Sequence, residues 1–167
     1  MSTPKIGTVD SIARRVRELQ AEGQGVVFTN GCFDILHGGH IELFRRAREQ
    51  GDLLVIAINS DASVKRLKGD TRPIFDERER AEVLAAMEMV DFVCVFEEPT
   101  PLETIVAVRP DVLVKGADWR DKGIVGQKEV EGWGGDVVTV DLVEGQSTTG
   151  IVRRVISRLG SCSSRGQ

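Results

Sequence analysis

Tyrosine is absent from this 167-residue chain, and histidine and cysteine are scarce, with two and three residues. Each scarcity closes off a class of chemistry. Cys32, Cys94 and Cys162 are odd in number and show no C-x-x-C spacing, which argues against a disulfide framework. Taken with an N-terminus that lacks an apolar signal core, they point to a cytoplasmic protein. No run approaches the ~20 apolar residues of a membrane span, so no membrane-crossing helix is expected. A net charge of −4 is a poor footprint for nucleic acid. The sequence G-x-x-x-x-G-K-S/T is missing, and no G-x-G-x-x-G follows a strand, since Gly23-Gln24-Gly25 precedes one. These absences exclude a P-loop site and a dinucleotide-binding oxidoreductase.

What is present is enough apolar residue for one domain, 41% of the chain, and a chain of this size holds a core without metal or disulfide staples. Short β-branched runs at 26–29, 53–58, 92–96, 112–114 and 137–140 alternate with amphipathic stretches at 39–50, 61–67, 76–89, 101–108 and 148–158. The runs are nearly all apolar, as parallel strands buried on both faces must be. The alternation predicts an α/β fold, a doubly wound five-stranded parallel sheet of Rossmann-like type, over residues 25–159. Residues 1–24 read as a helical extension, with Ile12, Val16 and Leu19 at helical spacing and Asp10 or Ser11 as its cap, and 160–167 as a loose tail. Gly51 reads as the glycine that closes the 39–50 helix.

In such a sheet the ligand sits beyond the carboxyl ends of the strands, so the chemistry belongs in the loops after them. The first strand runs into Asn30-Gly31-Cys32-Phe33-Asp34-Ile35-Leu36-His37-Gly38-Gly39-His40 and then a helix. Both histidines of the chain fall in one tetrapeptide at that helix start, where glycines permit close approach and backbone amides favour a phosphate. Imidazoles three residues apart can face one anion as N–H donors. Two other readings stand beside this one. The histidines can cap the helix or fill a turn, or Cys32, His37 and His40 can ligate zinc, although a fourth ligand and a recognised spacing are both missing.

Two further stretches carry charge where a phosphate site needs it. Between 65 and 80 lie six Lys and Arg residues against four Asp and Glu, an enrichment in an acidic chain. Near the C-terminus Ser147-Thr148-Thr149 opens a helix, combining hydroxyls, amides and the positive dipole end, although an ordinary N-cap has the same composition.

Asn30-Gly31-Cys32-Phe33-Asp34 with His37-Gly38-Gly39-His40, followed by Gly145-Gln146-Ser147-Thr148-Thr149, resembles the nucleotidyltransferase superfamily that carries the H-x-G-H signature. Within it, Asn59-Ser60-Asp61, the stretch from Lys65 to Pro73 and Leu113-Val114-Lys115-Gly116-Ala117-Asp118 resemble the adenylyltransferase domain of bacterial ADP-heptose synthesis, over about residues 25–158. The resemblance implies that His37, His40, Lys68 and Arg153 are catalytic. It implies that Cys32, Phe33, Asp34, Gly39, Lys115, Asp118, Gly145, Ser147, Thr148 and Thr149 bind the nucleotide, and that Asn30, Lys65, Arg72 and Arg80 bind the substrate. Lys65 or Lys68 would come from a mobile loop and Arg80 would line the site. Trp119 departs from the heptose pattern, because Gly116-x-Asp118-Trp119 is similar to relatives that use CTP and glycerol phosphate.

The expected reaction transfers AMP from ATP to D-glycero-β-D-manno-heptose 1-phosphate. Mg²⁺ is expected with ATP, held by phosphates and water with no direct protein ligand, and Asp34 is the carboxylate expected near base or metal. The alternatives are a CTP-dependent cytidylyltransferase acting on glycerol 3-phosphate or a similar polyol phosphate, and a nucleotide-binding module without turnover. The expected partners are ATP, a sugar phosphate and further copies of the chain, with no nucleic acid or membrane. A separate heptose kinase would act upstream, since 167 residues leave no room for one here.

Overall fold

Alternating burial turns the apolar runs into a sheet with a separate core on each face. The computed structural model describes residues 4–119, 122–141 and 147–160. Along them run β1 (Ile6–Gly7), α1 (Val9–Ala21), β2 (Val26–Gly31), α2 (Gly38–Arg48), β3 (Leu53–Asn59), α3 (Asp61–Lys68), α4 (Glu77–Ala85) and β4 (Phe92–Phe96). After these come α5 (Leu102–Val108), β5 (Val112–Gly116), a 3₁₀ turn (Ala117–Trp119), α6 (Gln127–Gly132), β6 (Asp136–Val140) and α7 (Thr148–Gly160).

The sheet is wholly parallel and doubly wound, with order β1-β4-β3-β2-β5-β6. It has six strands where the periodicity predicted five. The additional strand is Ile6–Gly7, which pairs with Val93 and Cys94 at the edge and is too short to show a period. Val26, Phe28, Val55, Ala57, Phe92, Cys94 and Leu113 face one core with α1 and α5. Val27, Leu54, Ile56, Ile58, Val93 and Val114 face the other with α2 and α4. The N-terminal segment is therefore built into the sheet and its first core, through Ile12, Ala13, Val16 and Leu19.

Local chemistry sets most boundaries. Thr8, not Asp10 or Ser11, caps α1 by accepting from Ser11 N at 3.2 Å. Ser60 caps α3, and Asp76 and Glu79 form a reciprocal capping box on α4. Helix α4 stops at Ala85 instead of reaching 89, because turns from Met87 N to Leu84 O and from Val90 N to Met87 O deliver Val90 to the core. Gly51 lies beyond the end of α2, where a Cβ would sit 2.9 Å from Gly25 O, so close approach and not a left-handed cap requires glycine there.

Strand order reverses between β2 and β5. The chain leaves β2 toward β3 and β4 and later returns to place β5 on the other flank of β2. Loops leaving the carboxyl ends of β2 and β5 diverge, and the crevice between them is where an open α/β sheet binds its ligand.

Candidate active site

Strand β2 delivers Asn30 and Gly31 to this crevice, and the chain then turns sharply. Phe33 takes φ of +42°, an uncommon value for a residue with a side chain. Its buried ring occupies the space beside Gly31, where a Cβ would come within 2.9 Å of the ring. Phe33 in turn meets His40 edge-on at 5.3 Å and Phe44 at 5.0 Å. His37 is the N-cap residue of α2 without using its side chain as a cap, which sets aside the helix-capping reading of that imidazole.

The two imidazoles stack with centroids 3.8 Å apart. Burial, the neighbouring His37 and the charge of Lys68 lower the pKa of His40 to about 4, and burial lowers that of His37. Both rings are therefore neutral near pH 7 and offer N–H groups instead of charge. The Nδ1 atoms of both are buried without a partner. A proton on Nε2 avoids burying an unpaired N–H and leaves that nitrogen as the donor to an anion at the mouth of the loop.

Positive charge comes from two sides. Lys68 ends α3, ahead of Gly69 with φ of +92°, so it stands on a helical last turn and not in a loop. Its charge bears on both Cys32 and His40, while Lys65 lies exposed nearly one turn earlier. From β5, Lys115 is buried with Nζ 3.2 Å from Asn30 O and 5.4 Å from the Trp119 ring centroid. Burial lowers its pKa to about 8 despite the opposing charge of Asp118. Asp118 lies exposed on the 3₁₀ turn, 3.9 Å from Lys122. Asn30 Oδ1 is a further buried atom without a partner at this end of β2.

Other residues singled out in the sequence hold the site together. Asp34, 3% exposed, accepts from Arg72 Nε, from Ile74 N at 2.8 Å and from Phe75 N at 3.0 Å. Its carboxylate is thereby committed to Arg72 and the 72–75 segment. Arg80 is fully buried and donates to Cys32 O at 2.6 Å, Asp61 Oδ1 at 2.8 Å and Phe75 O at 3.1 Å. It ties the β2 loop, the start of α3 and the entry to α4 together, beneath the surface a substrate would touch. Cys32 is half-buried, its thiol pKa raised by burial and its Sγ 3.7 Å from Asn59 Oδ1. Among the described residues no group of three His, Cys, Asp or Glu side chains is arranged to hold a metal ion.

The second motif reaches the first across 113 residues, through Thr148 Oγ1 donating to Ile35 O at 3.2 Å. Ser147 Oγ accepts from Gly150 N at 3.0 Å and caps α7, while Thr149 and Arg153 lie exposed in its first two turns. Gly39 is buried in the first turn of α2. Gly145 lies outside the described residues. Sequence reasoning singled out Asn59-Ser60-Asp61 as a stretch of family resemblance but gave Asn59 and Asp61 no place among the site residues; the structure makes both part of the site's framework, through Cys32 and Arg80.

Residues 28–153 match the cytidylyltransferase-like family. The chain belongs to that family. This cytidylyltransferase-like chain is 50% identical over 157 residues to the bifunctional protein HldE of Pelobacter propionicus, covering 94% of itself and 32% of the relative. It is 47% identical over 159 residues to HldE of Geobacter metallireducens, again covering 32% of that protein. The chain thus spans about a third of the length of the curated relatives it matches. Among solved structures it is similar to the lipopolysaccharide core biosynthesis protein from Thermoplasma volcanium GSS1, at 31% identity and a TM-score of 0.60, over 74% of this chain and all of that one. Pantoate-beta-alanine ligase from Francisella tularensis, 14% identical with a TM-score of 0.62 over 83% of this chain and 67% of that one, shares the fold. The cytidylyltransferase-like domain is a nucleotidyltransferase.

Proposed function

We propose that this nucleotidyltransferase transfers AMP from ATP to a sugar 1-phosphate, D-glycero-β-D-manno-heptose 1-phosphate, giving ADP-heptose and pyrophosphate. The observation that carries the reading is the convergence at one crevice of the stacked His37–His40 pair, the charge of Lys68 and buried Lys115. The choice of heptose rests on the resemblance of the Lys65 to Pro73 and Leu113 to Asp118 stretches.

An oxygen of the sugar phosphate attacks the α-phosphorus in line. The new P–O bond forms as the bond to the β-phosphate breaks, and its electron pair leaves with pyrophosphate. The acceptor is already anionic, so no protein nucleophile or general base is needed. The task is to align two repelling anions and stabilise the charge that grows on the phosphoryl oxygens. His37 and His40 donate N–H bonds to the triphosphate, the starts of α2 and α7 add oriented dipoles, and Lys68, Lys115 and Arg153 supply charge. Asp118 and Asn30 are the polar groups left to meet base, ribose or sugar hydroxyls. Arg72 and Arg80 act through the loop they hold. Mg²⁺ would accompany ATP and neutralise phosphate charge, held by phosphate oxygens and water, which suits a site whose innermost carboxylate, Asp34, is committed to Arg72.

Gly116-Ala117-Asp118-Trp119 supports a second reading, a CTP-dependent cytidylyltransferase acting on glycerol 3-phosphate or a similar polyol phosphate. The test is pyrophosphate release over ATP, CTP, GTP and UTP, each with heptose 1-phosphate and with glycerol 3-phosphate. Turnover with ATP and heptose 1-phosphate alone is expected. Turnover with CTP and glycerol 3-phosphate overturns the heptose assignment, and no turnover in any combination overturns both readings.

A further inference from the structure

Strand β5 carries Lys115 into the crevice with only 6% of its surface exposed, and a buried ammonium needs partners to stay charged. The hydrogen bond described for it goes to a neutral carbonyl, Asn30 O, at 3.2 Å. Asp118 favours the ammonium by its charge but lies exposed on the 3₁₀ turn, 3.9 Å from Lys122. The other titratable group that bears on Lys115 is Cys32, whose own thiol burial keeps neutral. Among the described residues no carboxylate forms an ion pair with Lys115.

An indole stands beside the ammonium instead. Lys115 Nζ lies 5.4 Å from the centroid of the Trp119 ring, within cation–π reach, and tryptophan offers a cation the most favourable face of the aromatic side chains. The difference between a carboxylate and a ring matters at an anion site. A carboxylate would keep the amine charged but would cancel that charge and compete with a phosphate for its N–H groups. A π face favours the charge without bringing a negative ion, so an ammonium with three donors keeps one to offer. Lys122 reaches the same ring at 5.4 Å, and it, not Lys115, is the cation beside Asp118.

We propose that Trp119 is a positioning residue of the transfer reaction, whose indole face holds Lys115 charged and free to meet a phosphate at the β2–β5 crevice. The inference rests on the proposed place of Lys115 at the nucleotide. It gives the Gly116-Ala117-Asp118-Trp119 turn a task separate from the choice between ATP and CTP, because the charge of Lys115 serves the phosphates and not the base. Trp119 is itself exposed and belongs to neither core, so its replacement leaves the sheet intact.

The test titrates Lys115 directly, by ¹³C NMR of its ε-carbon in the full chain labelled at lysine, the signal being identified by its loss in Lys115→Met. The wild-type midpoint is expected near pH 8. Trp119→Leu keeps an apolar cover and removes the π face, and is expected to lower the midpoint by about 0.4–1.5 pH units, the cation–π range expressed as a pKa. Trp119→Phe, with a weaker ring, is expected between the two. In pyrophosphate-release assays the alkaline rise in KM for ATP is expected to follow the same order. At pH 6, where Lys115 is charged in all three proteins, the KM values are expected to converge, which a mere loss of packing would not produce. A midpoint that stays in place or rises in Trp119→Leu overturns the proposal. So does a midpoint that falls while the KM profiles of the three proteins coincide. A chain that turns over no nucleotide overturns the functional reading alone, since the NMR midpoint still decides whether Trp119 holds Lys115.

Discussion

Removing the carboxylate of Asp34 is the sharpest available test of how the site is held. Asp34 joins the β2 loop, which carries the histidines, to the segment that leads into α4. Its side chain is 1% exposed and that of Arg72 is 13% exposed, so solvent does little to screen the pair. Breaking a buried pair by removing one partner costs about 3–5 kcal/mol, because the other charge is left uncompensated. Asp34→Ala also strands the N–H groups of Ile74 and Phe75. A loss of about 3–5 kcal/mol is therefore expected, a large fraction of the ~5–15 kcal/mol that stabilises a typical domain. Asp34→Asn keeps an oxygen for the two backbone donors and loses only the ionic bond to Arg72, for an expected loss of about 1.5–3 kcal/mol. Urea unfolding of wild type, both variants and Arg72→Met, followed by fluorescence of Trp119 and Trp133, measures these differences. A cycle over Asp34→Ala and Arg72→Met should return a coupling of at least about 1 kcal/mol. If both Asp34 variants lose less than about 0.5 kcal/mol, as ordinary surface substitutions do, the clamp is refuted. If Asp34→Ala instead abolishes turnover at unchanged stability, the carboxylate works on substrate or metal.

His40→Ala is expected to lower turnover by about 10²–10³-fold, the usual effect of removing a preorganised donor to developing charge, in pyrophosphate-release assays; unchanged turnover refutes its assignment. Protonation of His40 opposes folding. Its native pKa is about 4 against an ordinary 6.5, so its contribution to stability is intact above pH 6.5 and is lost as pH falls toward 4, and His40→Phe should flatten that part of the stability profile in urea titrations. Lys115, with a native pKa of about 8, loses its charge as pH rises through 8, so the KM for nucleotide should rise there and Lys115→Met should remove the dependence. By the same linkage folding stability rises between that pKa and 10.5, because the unfolded chain holds the extra proton. Gly31→Ala drives a methyl into the Phe33 ring and is expected to cost about 1–3 kcal/mol by thermal unfolding.

Much of the fold was legible because buried parallel strands leave an unmistakable mark. The runs at 53–58 and 92–96 are apolar on both faces, and the five interior and flanking strands fell close to their expected places. Ile6–Gly7 left no such mark, since two residues have no period and their pairing depends on where β4 ends up. The same limit governs the site. The His37-Gly38-Gly39-His40 tetrapeptide at a strand exit is local and could be read directly. What Asp34, Arg72 and Arg80 do could not be read directly, because apart from Phe75, five residues from Arg80, the partners described for them lie 19 to 48 residues away. Residue type alone cannot tell an arginine that grips a substrate from one that grips a carbonyl.

The sequence by itself determined most of the architecture, the place of the loop that carries both histidines and the enrichment in positive charge at 65–80, since each depends on neighbours within a few residues. Tertiary structure decided which charges remain available. It buried Arg80 under the loop, committed Asp34 to Arg72, brought Lys68 rather than Lys65 into electrostatic reach of His40, and lowered the pKa of both histidines. It also joined Thr148 to Ile35, so that the two motifs form one site. Those outcomes depend on desolvation and on contacts between distant segments, which exist only once the sheet has brought its carboxyl ends together.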